Sequence, residues 1–166
     1  MQTKSFLLVA LATVSQARFG QEGLIQGLVQ ALSDFGAPGA AGTLAGQTPG
    51  VLLAGASACA KLELADEIVA ELGNDAQVIA AAAALVAAEK NFNPGAQAIP
   101  TICDNAALPA TEALRGIVPL VDPAVVGADV QNANSAQSLQ NPFVADGLSV
   151  GGISIAQGFA NFTAQN

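Results

Sequence analysis

Residues 59–90 constrain the fold of this chain most. Cys59–Leu72 reads CAKLELADEIVAEL. Leu62, Ala65, Val69 and Leu72 fall on one helical face with Leu64 and Ile68 beside them, while Lys61, Glu63, Asp66, Glu67 and Glu71 fall largely elsewhere. This is the pattern of an amphipathic helix of about four turns. Gly73 is placed to end it, and Asn74 or Asp75 to cap a second helix over Ala76–Lys90. That helix carries Val78, Ile79, Ala82, Leu85, Val86 and Glu89, and its Ala80–Ala84 run has the highest helix propensity available. A two-residue connection between such helices predicts an αα-hairpin, whose apolar faces need further helices to cover them.

Those helices are legible on either side. Leu24, Leu28, Ala31 and Phe35 line one stripe of a helix from Gly20 or Gln21 to about Phe35, stopped by Gly36-Ala37-Pro38-Gly39. Ala40–Ala58 is small, almost uncharged and glycine-rich. It predicts a turn at Pro49-Gly50 and a short helix over Val51–Ala56. Asn91-Phe92-Asn93-Pro94-Gly95 is a turn, and Pro100 and Pro109 bracket Cys103 in a loop. Thr111-Glu112 starts a short helix limited by Pro119. Asp122-Pro123 places an N-cap before a proline at N1 and opens a helix through about Ser135. Leu148–Phe159 suits a short strand or a helix, and strand signal is otherwise weak. The expectation is an all-α fold, a compact bundle of five to seven helices.

Two cysteines, Cys59 and Cys103, are expected to form one disulfide, because the N-terminus carries the marks of export. Met1–Lys4 is a short basic head, Ser5–Val14 an apolar run of h-region length, and Ser15-Gln16-Ala17 a small-residue cleavage site. The apolar run is shorter than the ~20 residues that span a bilayer. The expected organisation is therefore a signal peptide at 1–17, removed on export, and a single helical domain at 18–166. The bridge would close a loop of about 45 residues and contribute roughly 3–4 kcal/mol on the chain-entropy model. No later run reads as a transmembrane segment or lipid-anchor signal. Asn161-Phe162-Thr163 is a candidate N-glycosylation site at Asn161.

Charge and residue inventory narrow the function. The chain has 5 basic and 13 acidic residues, a net charge of −8. Loss of Lys4 with the signal makes it −9. Such a surface disfavours nucleic acid and anionic membranes as partners. No histidine excludes Ser-His-Asp and Cys-His catalysis and removes the commonest metal ligand; no cofactor or metal site is expected. Lys61 and Lys90 read as solvated lysines on polar helix faces. Glu63, Asp66, Glu67 and Glu71 form the one acidic cluster, which patterning assigns to a solvated face and not to a paired-carboxylate cleft. The glycine-rich 36–42 segment lacks the Lys-Ser/Thr ending of a phosphate loop. With no tryptophan or tyrosine, stacking on sugars is underequipped. Phe35, Phe92, Phe143 and Phe159 lie at predicted element ends, where they close the core or line a candidate apolar cavity.

Arg18-Phe19-Gly20, the CAKLELADEIVAELG segment with Cys59, Asn91-Phe92-Asn93-Pro94, Ile102-Cys103 and Leu114-Arg115-Gly116-Ile117-Val118-Pro119-Leu120 resemble a group of small secreted fungal proteins of the cell-wall type. Some of these are labelled circumsporozoite-like on composition. The resemblance spans most of residues 18–166, implies an extracellular or cell-wall location and transfers no catalytic residue. In style the chain is also similar to fungal hydrophobic surface-binding proteins, Ala-rich and helical, from which its cysteine pair and glycine content depart. The expected function is thus non-catalytic: apolar contact, as lipid or hydrophobic-surface binding or as self-association into a surface layer. The alternatives are a small carboxylate-based extracellular hydrolase or lyase, needing two acids in one cleft, and an effector that binds a host protein.

Overall fold

The structure, a computed structural model, describes residues 21–93 and 95–166. The expected signal peptide at 1–17, residues 18–20 and Pro94 lie outside the described residues. Among the described residues six α-helices dominate: α1 Gln21–Gln30, α2 Ala40–Val51, α3 Ala60–Leu72, α4 Ala76–Ala87, α5 Ala128–Gln140 and α6 Val150–Ala156. A 3-10 turn covers Glu112–Leu114, and two three-residue strands, β1 Thr101–Cys103 and β2 Thr163–Gln165, pair in parallel. The fold is helical with one minor sheet, stapled by the Cys59–Cys103 disulfide.

The α3–α4 hairpin forms as its sequence dictates. Gly73 ends α3 with a φ of 94°, and the Asp75 carboxylate caps α4 by accepting from Gln77 N at 2.9 Å. Helix α4 is the centre of the molecule and packs against α1, α3, α5 and the 3-10 turn. Its alanines take part in the core along with Val78, Leu85 and Val86, which explains why the run tolerates no polar face. The helix stops at Ala87, three residues short of Lys90. There Ala88 turns to an extended backbone, and the Ala87 carbonyl accepts instead from Leu120 N at 2.9 Å.

Elsewhere the boundaries depart from expectation for identifiable reasons. Helix α1 closes at Gln30, and single turns carry the chain to Phe35. The stretch expected to turn at Pro49-Gly50 is instead a continuous helix, α2, with Pro49 in its last turn. A proline so close to the C-terminus sacrifices one helical bond only. The small residues of α2 let it lie against α1, where a Cβ on Gly42 would touch the Gln30 amide at 3.6 Å. No separate helix forms over Val51–Ala56: Val51 ends α2, and residues 52–56 follow in turns and bends. Asp122 does cap, accepting from Ala124 N at 2.7 Å, but Gly127 (φ 87°) breaks the path and α5 starts only at Ala128.

The C-terminal segment resolves as helix α6, capped by Ser149, whose Oγ accepts from Gly152 N at 2.9 Å. The end of the chain is pinned. Thr101, Ile102 and Cys103 register with Thr163, Ala164 and Gln165, and Gln165 Oε1 accepts from Ala58 N at 2.9 Å. The loop between the two bracketing prolines therefore contains a strand. Both ends of the disulfide are held by the C-terminal strand.

Candidate functional site

The region beside the disulfide concentrates the unusual chemistry of the molecule. Lys61 is the second residue of α3, two positions after Cys59, and only 4% of it is exposed. Its Nζ donates to Val86 O at 2.8 Å and Ala88 O at 2.5 Å. Those carbonyls close α4, where a helix leaves acceptors unpaired and carries the negative end of its dipole. Lys90 is 8% exposed, and its Nζ donates to Ala54 O at 2.7 Å and Ala56 O at 2.8 Å. It thereby fastens the turn after α2 to the segment leaving α4, beside the Asn91 N to Leu52 O bond of 2.8 Å.

Burial has a measurable cost for a charge in such a place. Loss of hydration pulls the Lys61 pKa from 10.5 down to about 7; Glu89 nearby offsets part of this and Lys90 adds to it. Burial also lowers Lys90. A neutral amine retains two N–H groups, so Lys61 can hold both of its carbonyls in either protonation state.

Lys61 and Lys90 share a crevice with Ala58, Pro100, Thr101, Cys103, Pro119 and Val150 among its walls. Thr101 is 9% exposed, and its buried Oγ1 has no hydrogen-bond partner. The space left for a water-sized guest is about 10 Å³, the lower limit for a single water.

The two lysines were expected on solvated faces, and the structure corrects this. The signal was present in α3 itself: Lys61 stands in helical register with Leu64, Ala65, Ile68 and Leu72, all buried. A long apolar stem on a core stripe brings its ammonium inside unless the end of the helix is open to water.

The acidic cluster does not converge. Glu63, Glu67 and Glu71 are exposed. The Asp66 carboxylate is occupied, accepting from Ala110 N at 2.7 Å and Thr111 N at 2.8 Å. In that role it anchors the 104–111 loop, which Arg115 holds from the other side through Pro109 O and Ala106 O, each at 2.9 Å. Glu89 is buried near Lys61. None of these five carboxylates lines the crevice. Among the described residues no group of three or more His, Cys, Asp or Glu side chains is placed to hold a metal ion.

The four phenylalanines considered for a cavity lie apart from the crevice. Phe35, Phe92 and Phe143 are half-buried against the core, and Phe159 is fully inside it, stacked on Phe162 at 6.0 Å. Asn161 is half-buried, and its Nδ2 donates to Val126 O at 3.1 Å.

A different surface is exposed and apolar. Val126, Val130 and Ile155 are 81%, 40% and 56% exposed. They belong to one end of the molecule, where the start of α5 meets α6. Gln131 Nε2 donates there to Ser154 Oγ at 3.2 Å, Asn134 Nδ2 to Gln157 O at 3.0 Å, and Val130 lies beside Gly158. Between residues 123 and 166 the only charged side chains are Asp129 and Asp146. Among the described residues no helix is long and apolar enough to cross a membrane. Comparison of the chain with family models, with curated proteins and with solved structures finds no match in any of the three.

Proposed function

We propose that this protein is a secreted, non-catalytic protein of the cell wall or extracellular space that works by apolar contact of its surface, adsorbing to hydrophobic surfaces or to copies of itself. The observation that carries this reading is the Val126, Val130 and Ile155 end of the molecule. Aliphatic side chains stand in water there, on about a quarter of the chain with only two charged side chains, Asp129 and Asp146. Covering such side chains releases free energy in proportion to the apolar area removed from water, about 25 cal/mol per Å². The acidic residues of α3 lie on another element and keep the rest of the surface hydrated. Lipid carriage is the weakest form of apolar contact here, because a crevice with about 10 Å³ of room is far below the roughly 300 Å³ of a small-ligand pocket. Export and the fungal cell-wall setting belong to the same proposal, supported by the N-terminal residue pattern; a glycan on Asn161, whose Nδ2 meets Val126 O, would cover part of this end and is not part of it.

Adsorption tests it. Residues 18–166, oxidised and folded, are expected to bind alkyl-coated beads and to be released by detergent. The triple variant Val126→Ser, Val130→Gln, Ile155→Gln is expected to lose about tenfold in affinity, as the removal of 1–2 kcal/mol of apolar contact implies. A triple variant that binds as well as the parent, or a parent that does not bind, overturns the proposal.

A further inference from the structure

We infer that the crevice beside the disulfide is a binding site for one monoatomic anion of the halide class, held between Lys61, Lys90 and Thr101. Lys61, Lys90 and Thr101 all line it. Each ammonium has three donors and directs two of them to main-chain carbonyls. One N–H on each protonated lysine therefore remains, for Lys61 below about pH 7, and among the described residues no acceptor takes it. Thr101 Oγ1 is nine-tenths buried and also lacks a partner. Buried polar groups are normally satisfied, and a group left alone costs on the order of 1–3 kcal/mol.

What the cluster lacks is an acceptor, and the local charge says which kind. The two lysines repel each other, and Glu89, which attracts Lys61, does not line the crevice. A neutral water would accept the hydrogen bonds and leave the repulsion in place. An anion would do both. The available room, about 10 Å³ for a water-sized guest, restricts the anion to a single atom. Sulfate, phosphate and carboxylates are too large. Apolar walls from Leu62, Ile102, Val121 and Val150 suit a weakly hydrated halide.

Crystals of the oxidised protein soaked in sodium bromide, with diffraction recorded at the bromine absorption edge, provide the test. The expected result is an anomalous peak in the crevice within hydrogen-bond reach of Thr101 Oγ1 and at least one of the two lysine Nζ atoms. In solution at about pH 6, where Lys61 is protonated, bromide at constant ionic strength should raise the unfolding midpoint of the parent protein, and the shift should be lost in Thr101→Val, which keeps the shape and removes the donor. A water or an empty crevice in the bromide-soaked crystal overturns the inference. So does an equal bromide response in Thr101→Val. If that variant does not fold, the crystal result on the parent decides alone.

Discussion

Raising the pH from 7 to 9 is expected to stabilise the folded protein, by about 2–3 kcal/mol. Lys61 has a folded-state pKa of about 7 against 10.5 for a free lysine. Between those values the unfolded chain carries a proton on Lys61 that the folded chain has released. Stability rises with pH wherever the unfolded state binds more protons, at about 1.4 kcal/mol per unit for one group. Below about pH 7 both states are protonated and the contribution is flat. Above pH 10.5 both are neutral and it is flat again. Lys90, also lowered by burial, acts in the same direction, while Glu89 opposes part of the Lys61 shift. Deprotonation need not release α4, because the neutral amine still has an N–H for Val86 O and another for Ala88 O. Urea unfolding at pH 7, 8 and 9 measures the effect. Lys61→Met lowers stability at every pH by leaving the two carbonyls unpaired, and it should remove most of the slope. A flat profile in the parent protein, or the same slope in Lys61→Met, contradicts the burial of this group.

Gly116→Ala is expected to cost more than about 3 kcal/mol, enough to unfold many domains of this size. Gly116 has a φ of 84°, a backbone region in which a Cβ is strained by roughly 1–2 kcal/mol. The larger part comes from contact. A Cβ at this position would overlap Phe143 O and lie 2.9 Å from Phe143 N, both backbone atoms that no rotamer change can move. Gly116 O accepts from that same Phe143 N at 3.0 Å, so relieving the overlap breaks a hydrogen bond between the 114–121 segment and the start of the 141–149 connection. Gly39→Ala is the control. Its φ is also 84°, but its Cβ would meet open space, so it should show the conformational part alone. Denaturant midpoints of the two variants should differ by the cost of the overlap. Equal midpoints would mean that the two segments do not touch.

How far the chain could be read in advance depended on the range over which each signal acts. The α3–α4 hairpin was legible because its determinants are local: a helical stripe, Gly73, then the Asp75 cap within a few residues. The disulfide was legible because only one pairing of two cysteines exists. The β1–β2 pair was not, because three residues at 101–103 have no strand character until residues 163–165 arrive beside them. Nor was the passage of α2 through Pro49. Ala41, Gly42 and Ala45 let it pack closely, and that outweighs one missing hydrogen bond. The site divides in the same way. The solvated positions of Glu63, Glu67 and Glu71 followed from periodicity. The burial of Lys61 also followed from periodicity, through its register with Leu64, Ala65 and Ile68, but residue type had pointed the other way. The pairing of Lys61 and Lys90 in one crevice is a tertiary event between the first turn of α3 and the exit of α4, and the unpartnered Thr101 completes it from β1.

The proposed function rests on the apolar end of the molecule, and side-chain labelling of the adsorbed protein tests it most directly. Hydroxyl-radical labelling, read by mass spectrometry, compares the protein free in solution with the protein bound to alkyl-coated beads. Val126, Val130 and Ile155 are expected to label readily in solution and to be protected on the beads, with Leu53 and Val144 labelling equally in both. Protection centred on Leu53 or Val144, or new labelling of core residues such as Leu85 and Ile68 that signals unfolding on the surface, would contradict contact through the α5–α6 end.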